Sequence, residues 1–371
     1  MLIDNKQSGE RYSIRNLSMS DALTLRRSGQ VFYDYTKLTA ANTCPTYGVL
    51  RYGLHKTEFP MLQGGRNTAL ECGHACHDFF AALRMWTLLD ERNNDPLGEE
   101  EMKARRHGRH LFGTERWESM CAVTQDSDRI NNAQMFALDA LHSSGYYDDP
   151  NDQRRTMTNM ESACLVYADR YFRSEMPVYV NDPHIGVEIP FVLEVRNEYD
   201  GLTGYYCGRI DGIHLNESRP IVVENKTAAR MSDSWRMAFA ISHQITGYTI
   251  AASAILEQEI NEALVFGVQI PLPRDAFTGV SVELCTRTHD DRVRWCEWFF
   301  QGIAQYEAYV TRPTLAPRYS HSCNRYFSAC QFIPYCALPR DEQEQALQDM
   351  REEEWSPLDH ITEEVVVDGG T

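Results

Sequence analysis

No uninterrupted apolar run of about 18 residues occurs in this 371-residue chain, which argues against a helical membrane span. The opening residues, MLIDNKQSGERYS, hold no charged segment followed by an apolar one, so the expected location is the cytoplasm. Internal repeats and low-complexity linkers are also missing, which argues against a repeat architecture. No G-x-x-x-x-G-K-S/T phosphate loop is present, so the chain carries no recognisable helicase motor. Positive charge is scarce: 36 Lys and Arg stand against 53 Asp and Glu, a net of −17 at pH 7. That balance argues against broad adhesion to nucleic acid, although it is compatible with a local basic groove. It is also uneven, because residues 340–371 alone contribute eleven acidic and two basic groups. This tail reads as a solvated, partly disordered face, or else as a DNA mimic or a dock for a basic partner.

What remains is the composition of a soluble globular protein, 43% hydrophobic and 24% charged, with enough chain for one large domain or two ordinary ones. Eleven cysteines in a cytoplasmic setting are not expected to form disulfides. Cys121, Cys164, Cys207, Cys285 and Cys296 stand alone and read as small buried apolar residues. Cys323, Cys330 and Cys336 instead crowd into fourteen residues after the proline-marked connector TRPTLAPRYS.

Residues up to about 60 read as irregular, with a short helix near 20–28. Helical periodicity follows at 68–89, 99–120, 130–144 and 157–172, separated by turn-rich pieces such as RNNDPLG and YYDDPND. From 178 the pattern becomes strand-like. Strands are expected at 184–195, 205–215 and 220–227, the first two joined by a hairpin through the Asp-Gly of NEYDGLTG. A long helix over 233–258, capped by Ser232 or Asp233, leads to strands at 262–272 and 280–287 and a helix at about 289–310. The expected fold is a mixed α/β core wrapped by helices.

Within that core, GRIDGIHLNESRPIVVENKT places three charged groups on strands that should be buried. Glu224 and Lys226 are two apart and share a face, and Asp211 can lie opposite Glu224 if the two strands pair. Two carboxylates with the Asn225 carbonyl make a hard oxygen site suited to Mg²⁺ or Mn²⁺. A neighbouring ammonium can orient an attacking water and offset charge developing on a phosphate. Taken alone, the same residues also fit a Lys–Glu ion pair at a strand end. Gly73 and His77 are four apart on the first long helix, as are Gln244 and Tyr248 on a later one, so each pair shares a face. In isolation these fit an internal hydrogen-bonded histidine and the polar stripe of an amphipathic helix.

Together and in this order, the motifs resemble the PD-(D/E)xK nuclease superfamily, closest to the branch holding the nuclease domains of RecB and AddB and the CRISPR-adaptation nucleases. GHACH (73–77) resembles its G-x-x-x-H helix, GRIDGI its glycine-x-x-Asp strand, IVVENKT its (D/E)-x-K strand, and QITGY (244–248) its Q-x-x-x-Y helix. Glu188 in GVEIPF resembles a further recurring acidic position. The resemblance implies His77, Asp211, Glu224 and the Asn225 carbonyl as ligands of Mg²⁺ or Mn²⁺, with Lys226 catalytic and Gln244 and Tyr248 assisting at the DNA. It also implies that Cys44 joins Cys323, Cys330 and Cys336 around a 4Fe-4S cluster, with zinc as the alternative. Six residues separate Cys323 from Cys330, where two are usual in that branch.

The implied fold is a restriction-endonuclease-like mixed central sheet flanked by helices, with an added helical region and a metal-stapled C-terminal segment. On this reading residues 1–60 carry one cluster cysteine, 61–177 form the helical region, 178–310 the nuclease core, 311–340 the cysteine segment and 341–371 the acidic tail. The implied activity is exonuclease action on DNA, single-stranded or with free ends, in recombination, repair or replication, served by a helicase or recombination partner. A noncatalytic DNA-binding or assembly subunit and an endonuclease of the same superfamily are the alternatives.

Overall fold

The computed structural model describes residues 1–57, 68–90, 99–122, 129–174, 176–181, 184–270, 279–325 and 328–358. In chain order the strands of the main sheet are β1 (Leu2–Asp4), β2 (Arg11–Asn16), β3 (Phe32–Tyr33), β4 (Val187–Asn197), β5 (Thr203–Asn216), β6 (Arg219–Ala228), β7 (Glu262–Gln269) and β8 (Val280–Thr286). The helices are α1 (Met19–Arg27), α2 (Tyr35–Thr43), α3 (Pro45–Tyr52), α4 (Thr68–Asp90), α5 (Glu99–Phe112), α6 (Thr114–Ala122), α7 (Arg129–His142) and α8 (Met157–Phe172), then α9 (Asp233–Met237), α10 (His243–Ile255), α11 (His289–Val310), α12 (Ile333–Ala337) and α13 (Arg340–Asp349). The sheet runs β1-β2-β4-β5-β6-β7-β8, with β3 beside β5. It is mixed: β6 and β7 are parallel, as are β3 and β5, while β1–β2, β2–β4, β5–β6 and β7–β8 are antiparallel. Among the described residues no helix is long and apolar enough to cross a membrane.

By compactness the chain forms two units, and β4 and β5 each contribute residues to both. The first comprises Met1–Arg66, Phe191–Gly208 and His289–Gly370. Trp295 stacks on Phe299 in its interior, and the Tyr206 ring stands edge-on to Trp295. Leu50, Phe332, Tyr335, Ala346 and Met350 form a separate cluster. Two expectations are corrected here. Residues 1–57 are not irregular: β1 and β2 extend the sheet, β2 by pairing with β4 and β1 by pairing with β2, rather than by a pattern of their own. The acidic tail is not all solvated. Residues Arg340–Asp349 form α13 and bury Gln343 and Ala346, while Lys56 Nζ lies 2.6 Å from Glu352 and Arg51 Nη1 3.4 Å from Glu353. Residues 359–371 lie outside the described residues.

The second unit comprises Asn67–Pro190 and Arg209–Thr288. One apolar core joins α4, α7 and α8 to the sheet, with Phe80, Phe136 and Tyr167 packed in a cluster that includes Val223 of β6 and Phe266 of β7. Helix α8 forms at the expected residues because Thr156 caps it, accepting from the Asn159 N–H. The single helix expected over 99–120 is two, since Gly113 takes a φ of 78° between α5 and α6. The helix expected over 233–258 is also broken. Ser232 caps the short α9, a 3₁₀ turn covers Ala238–Ile241, and Ser242 starts α10 afresh by accepting from the Ile245 N–H. This whole segment is the crossover joining parallel β6 to β7.

Candidate metal centre

Helix α4 brings His77 to the sheet. Seven residues on, two turns along the same face, it brings Arg84. Arg84 is wholly buried. It donates from Nη1 to the Asp211 carbonyl at 3.2 Å and from Nε to His214 Nε2, also at 3.2 Å. Burial, together with the adjacent guanidinium, pulls His214 down to about 3, so its ring is neutral and can accept that bond. Its Nδ1 then donates to the Met176 carbonyl at 3.1 Å.

Strand β5 supplies Asp211. Gly212 pairs with Val223, so the next position along would set Asp211 against Glu224. The Asp211 carboxylate bends into the ladder there: Oδ2 accepts the Asn225 backbone N–H at 2.8 Å, and Oδ1 lies 3.4 Å from His77 Nδ1. Two residues earlier on the same strand, Arg209 sets its Nε 2.7 Å from Glu188 Oε2.

Glu188 reaches the site through a distortion of β4. The strand's alternation fails at its start, where Val187, Glu188 and Ile189 are all buried, and Glu188 has a φ of 49°. An L-residue with a long side chain rarely takes that conformation, and holding it costs about 1–3 kcal/mol. Gly186 permits the kink. A Cβ there would run into the Ile213 carbonyl oxygen and lie 2.9 Å from that of Tyr179. From α5, His107 Nε2 donates to the Val187 carbonyl at 2.8 Å, its ring kept neutral by burial, which lowers it to about 4.

The outcome is a buried group in which one ligand atom each from His77, Glu188 and Asp211 lies within 4.8 Å of the other two. Glu224 and Lys226 adjoin it, with Lys226 Nζ 2.5 Å from Glu224 Oε1. Glu188 Oε1, Glu224 Oε2 and Asn225 Oδ1 are buried without a hydrogen-bond partner, while Glu188 Oε2 faces the Arg209 guanidinium. Unsatisfied buried oxygens are costly, and a hard cation is what would satisfy them. Burial raises Glu188, and the Asp211 charge raises it further against the pull of Arg209. Glu224 is pushed up to about 7 by burial and Asp211, with Lys226 opposing. Burial also acts on Asp211, but His77, Arg84 and Lys226 outweigh it and hold the carboxyl well below the usual range. For His77, burial is outweighed by Asp211, Glu188 and Glu224, which hold the ring up to about 9.

The sequence expectation placed His77, Asp211, Glu224 and Asn225 around the metal. The structure brings all four to one place, with Glu188 as the third member of the closest group. Gln244 and Tyr248 lie on α10, and Gln244 Nε2 donates to the Tyr248 hydroxyl at 3.1 Å. His74 is exposed and is not a member of the close group. Gly73 is not sterically required, since a Cβ there would meet only Thr227 Oγ1, at an ordinary 3.8 Å. Arg84 and Arg209 were missed by sequence reading, although the helical step from His77 and the strand step to Asp211 both point to them.

No protein-family model matches the chain, and no curated protein matches it. Residues and geometry therefore carry the functional reading.

All eleven cysteines are free. In the first unit, burial raises Cys336 to about 11, with Cys44, Cys330 and Cys323 adding to it. Burial likewise raises Cys330, reinforced by Cys323 and Cys44. The Cys330 N–H donates to the Cys323 carbonyl at 2.7 Å. The four are thus electrostatic neighbours, but among the described residues no three cysteine sulfurs lie within 4.8 Å of one another. One zinc ion would hold its sulfurs about 3.8 Å apart, given a bond of about 2.3 Å to each corner of a tetrahedron.

Proposed function

We propose that this chain is a metal-dependent deoxyribonuclease of the PD-(D/E)xK type that degrades DNA from free ends. The observation that carries the proposal is the meeting of His77, Glu188 and Asp211, with oxygens left unsatisfied, beside the Glu224–Lys226 ion pair. The donor set of one imidazole and several carboxylates fits Mg²⁺ or Mn²⁺. When bound, such an ion would polarise a phosphate oxygen and acidify the attacking water.

The protein's own groups have separable tasks. His77, Asp211 and Glu188 hold the ion, and Glu224 Oε2 and Asn225 add oxygen donors. Lys226 orients the water and offsets charge gathering on the phosphate, while Glu224 fixes the position of its ammonium. Arg209 pairs with Glu188 and opposes the rise that burial imposes on it, and Gln244 and Tyr248 contact the DNA backbone or a base. In the first unit, Cys44, Cys323, Cys330 and Cys336 would hold a 4Fe-4S cluster. Zinc on the same four thiolates is the alternative.

Anaerobically purified protein should be incubated with end-labelled linear and circular DNA plus Mn²⁺ or Mg²⁺. Degradation of linear but not circular single strands supports exonuclease action. Equal degradation by wild type and Lys226→Ala refutes the site.

A further inference from the structure

Between β6 and α10 the chain exposes two large apolar side chains, Met237 at 72% and Ile241 at 81%. They are four apart across the join of α9 and the 3₁₀ turn, so they form one ridge. The backbone beneath is held from two sides. Trp235 lies against Gly267, where any Cβ would collide with its indole ring, and the Phe239 ring meets that indole edge-on at 4.7 Å. Arg287 donates from Nη2 to the Phe239 carbonyl at 2.7 Å and from Nε to Thr246 Oγ1 at 2.8 Å, tying the turn to α10. The ridge is therefore presented by anchored structure rather than by a loose loop.

Its position matters as much as its exposure. Gly267 is the β7 residue paired with Lys226, so Trp235 sits on the strand next to the catalytic lysine. The same segment ends at Ser242, the cap of the helix that carries Gln244 and Tyr248. Arg236 is engaged by Glu283 at 3.3 Å and Asp233 at 3.9 Å, while Arg230 is exposed on the same β6–α10 connection, just before α9.

Resting on the nuclease reading, we infer that Met237 and Ile241 are a wedge that enters between the terminal bases of a DNA duplex and feeds one unstacked strand to Lys226. Methionine and isoleucine are among the side chains that unstack base steps in this way, and an exposed arginine on the same connection suits a phosphate. A chain without a motor of its own would thereby fray duplex ends by binding alone.

The test compares wild type with the double variant Met237→Ser/Ile241→Ser, and with Met237→Leu/Ile241→Leu. Terminal unstacking is read from 2-aminopurine fluorescence at the end of a blunt duplex, with Ca²⁺ replacing the active ion. Hydrolysis of the duplex and of its single strand is read with Mn²⁺. The serine variant, which alters only exposed side chains and should melt like wild type, is expected to lose the fluorescence rise. It should also slow on duplex by about tenfold or more while matching wild type on single strands; the leucine variant should retain both. Equal fluorescence and equal duplex rates in wild type and the serine variant overturn the wedge and leave the nuclease reading intact. Unstacking without hydrolysis of any DNA by wild type supports the wedge and refutes the nuclease. A wild-type dimer that the serine variant dissolves, with unchanged fluorescence, assigns the ridge to self-association and overturns the inference.

Discussion

The carboxylates around His77 favour its protonated form, and on the proposed reading a metal ion would displace that proton. Its ring is held up to about 9 by Asp211, Glu188 and Glu224, so at pH 7 it is roughly 99% imidazolium. Deprotonating it there costs about 2.7 kcal/mol, which weakens apparent metal affinity about 100-fold relative to pH well above 9. Glu224, raised to about 7, adds a smaller share. At pH 7.5 the two groups together should release roughly 1.2 protons per ion bound. Calorimetric titration with Mn²⁺ in buffers of different ionisation enthalpy counts those protons directly. Affinity should rise about tenfold per pH unit from 7.5 to near 9 and then level off. His77→Gln should bind more weakly and lose the slope above pH 8, keeping only the Glu224 share below it. An affinity independent of pH between 7 and 9, or binding without proton release, would refute the placement of His77 among the carboxylates. Stability of the metal-free protein moves the opposite way. The raised pKa of His77 contributes stability that is complete below its unfolded value of 6.5 and disappears as pH rises through about 9. Glu224 contributes in the same sense, fully below 4.5 and lost through about 7, whereas the lowered Asp211 contributes above 3.8 and is lost as acid protonates it. Added Mn²⁺ should therefore raise the melting temperature most at the alkaline end.

Lys226→Ala should reduce hydrolysis about 10²–10³-fold, with an unchanged circular dichroism spectrum. Arg84→Met leaves the Asp211 carbonyl and His214 Nε2 without their donor, and should weaken Mn²⁺ binding about 10–100-fold by calorimetry while hydrolysis of saturated enzyme falls less. Cys336→Ser should abolish bound iron and its broad visible absorption in anaerobically purified protein; a colourless, zinc-containing wild type would exclude the cluster. Gly108→Ala drives a methyl into the Trp117 indole in the second unit's core and should lower stability by about 1–3 kcal/mol in a denaturant melt.

Regular local pattern was legible, and distortion was not. Helix α8, with its Thr156 cap, and the β5–β6 pair that sets Asp211 near Glu224 follow from apolar spacing and turn residues alone. Strands β1 and β2 do not, because three and six residues have no period to read, and β2, on which β1 pairs, depends on a partner some 180 positions away. The breaks at Gly113 and at 238–241 escaped for a related reason: both flanks remain good helix, and only tertiary anchoring such as Arg287 on Phe239 decides where the turn tightens. Glu188 shows the limit at the site itself. As a strand residue it reads as an edge charge, and only a positive φ beside a glycine turns it inward. Arg84 was within reach, since a charged residue on an apolar helix two turns from a candidate ligand asks for an anion or a carbonyl.

The metal centre is also dispersed along the chain. His77, Glu188, Asp211 and Lys226 come from one helix and three strands; the β4–β5 hairpin links Glu188 to Asp211 locally, while His77 is far from both in sequence. Closing such long loops is slow and is rewarded only once the sheet and α4 have docked. No nascent or truncated chain ending before Lys226 can hold the complete site. On the proposed nuclease reading, hydrolytic potential would arise only after the second unit has folded.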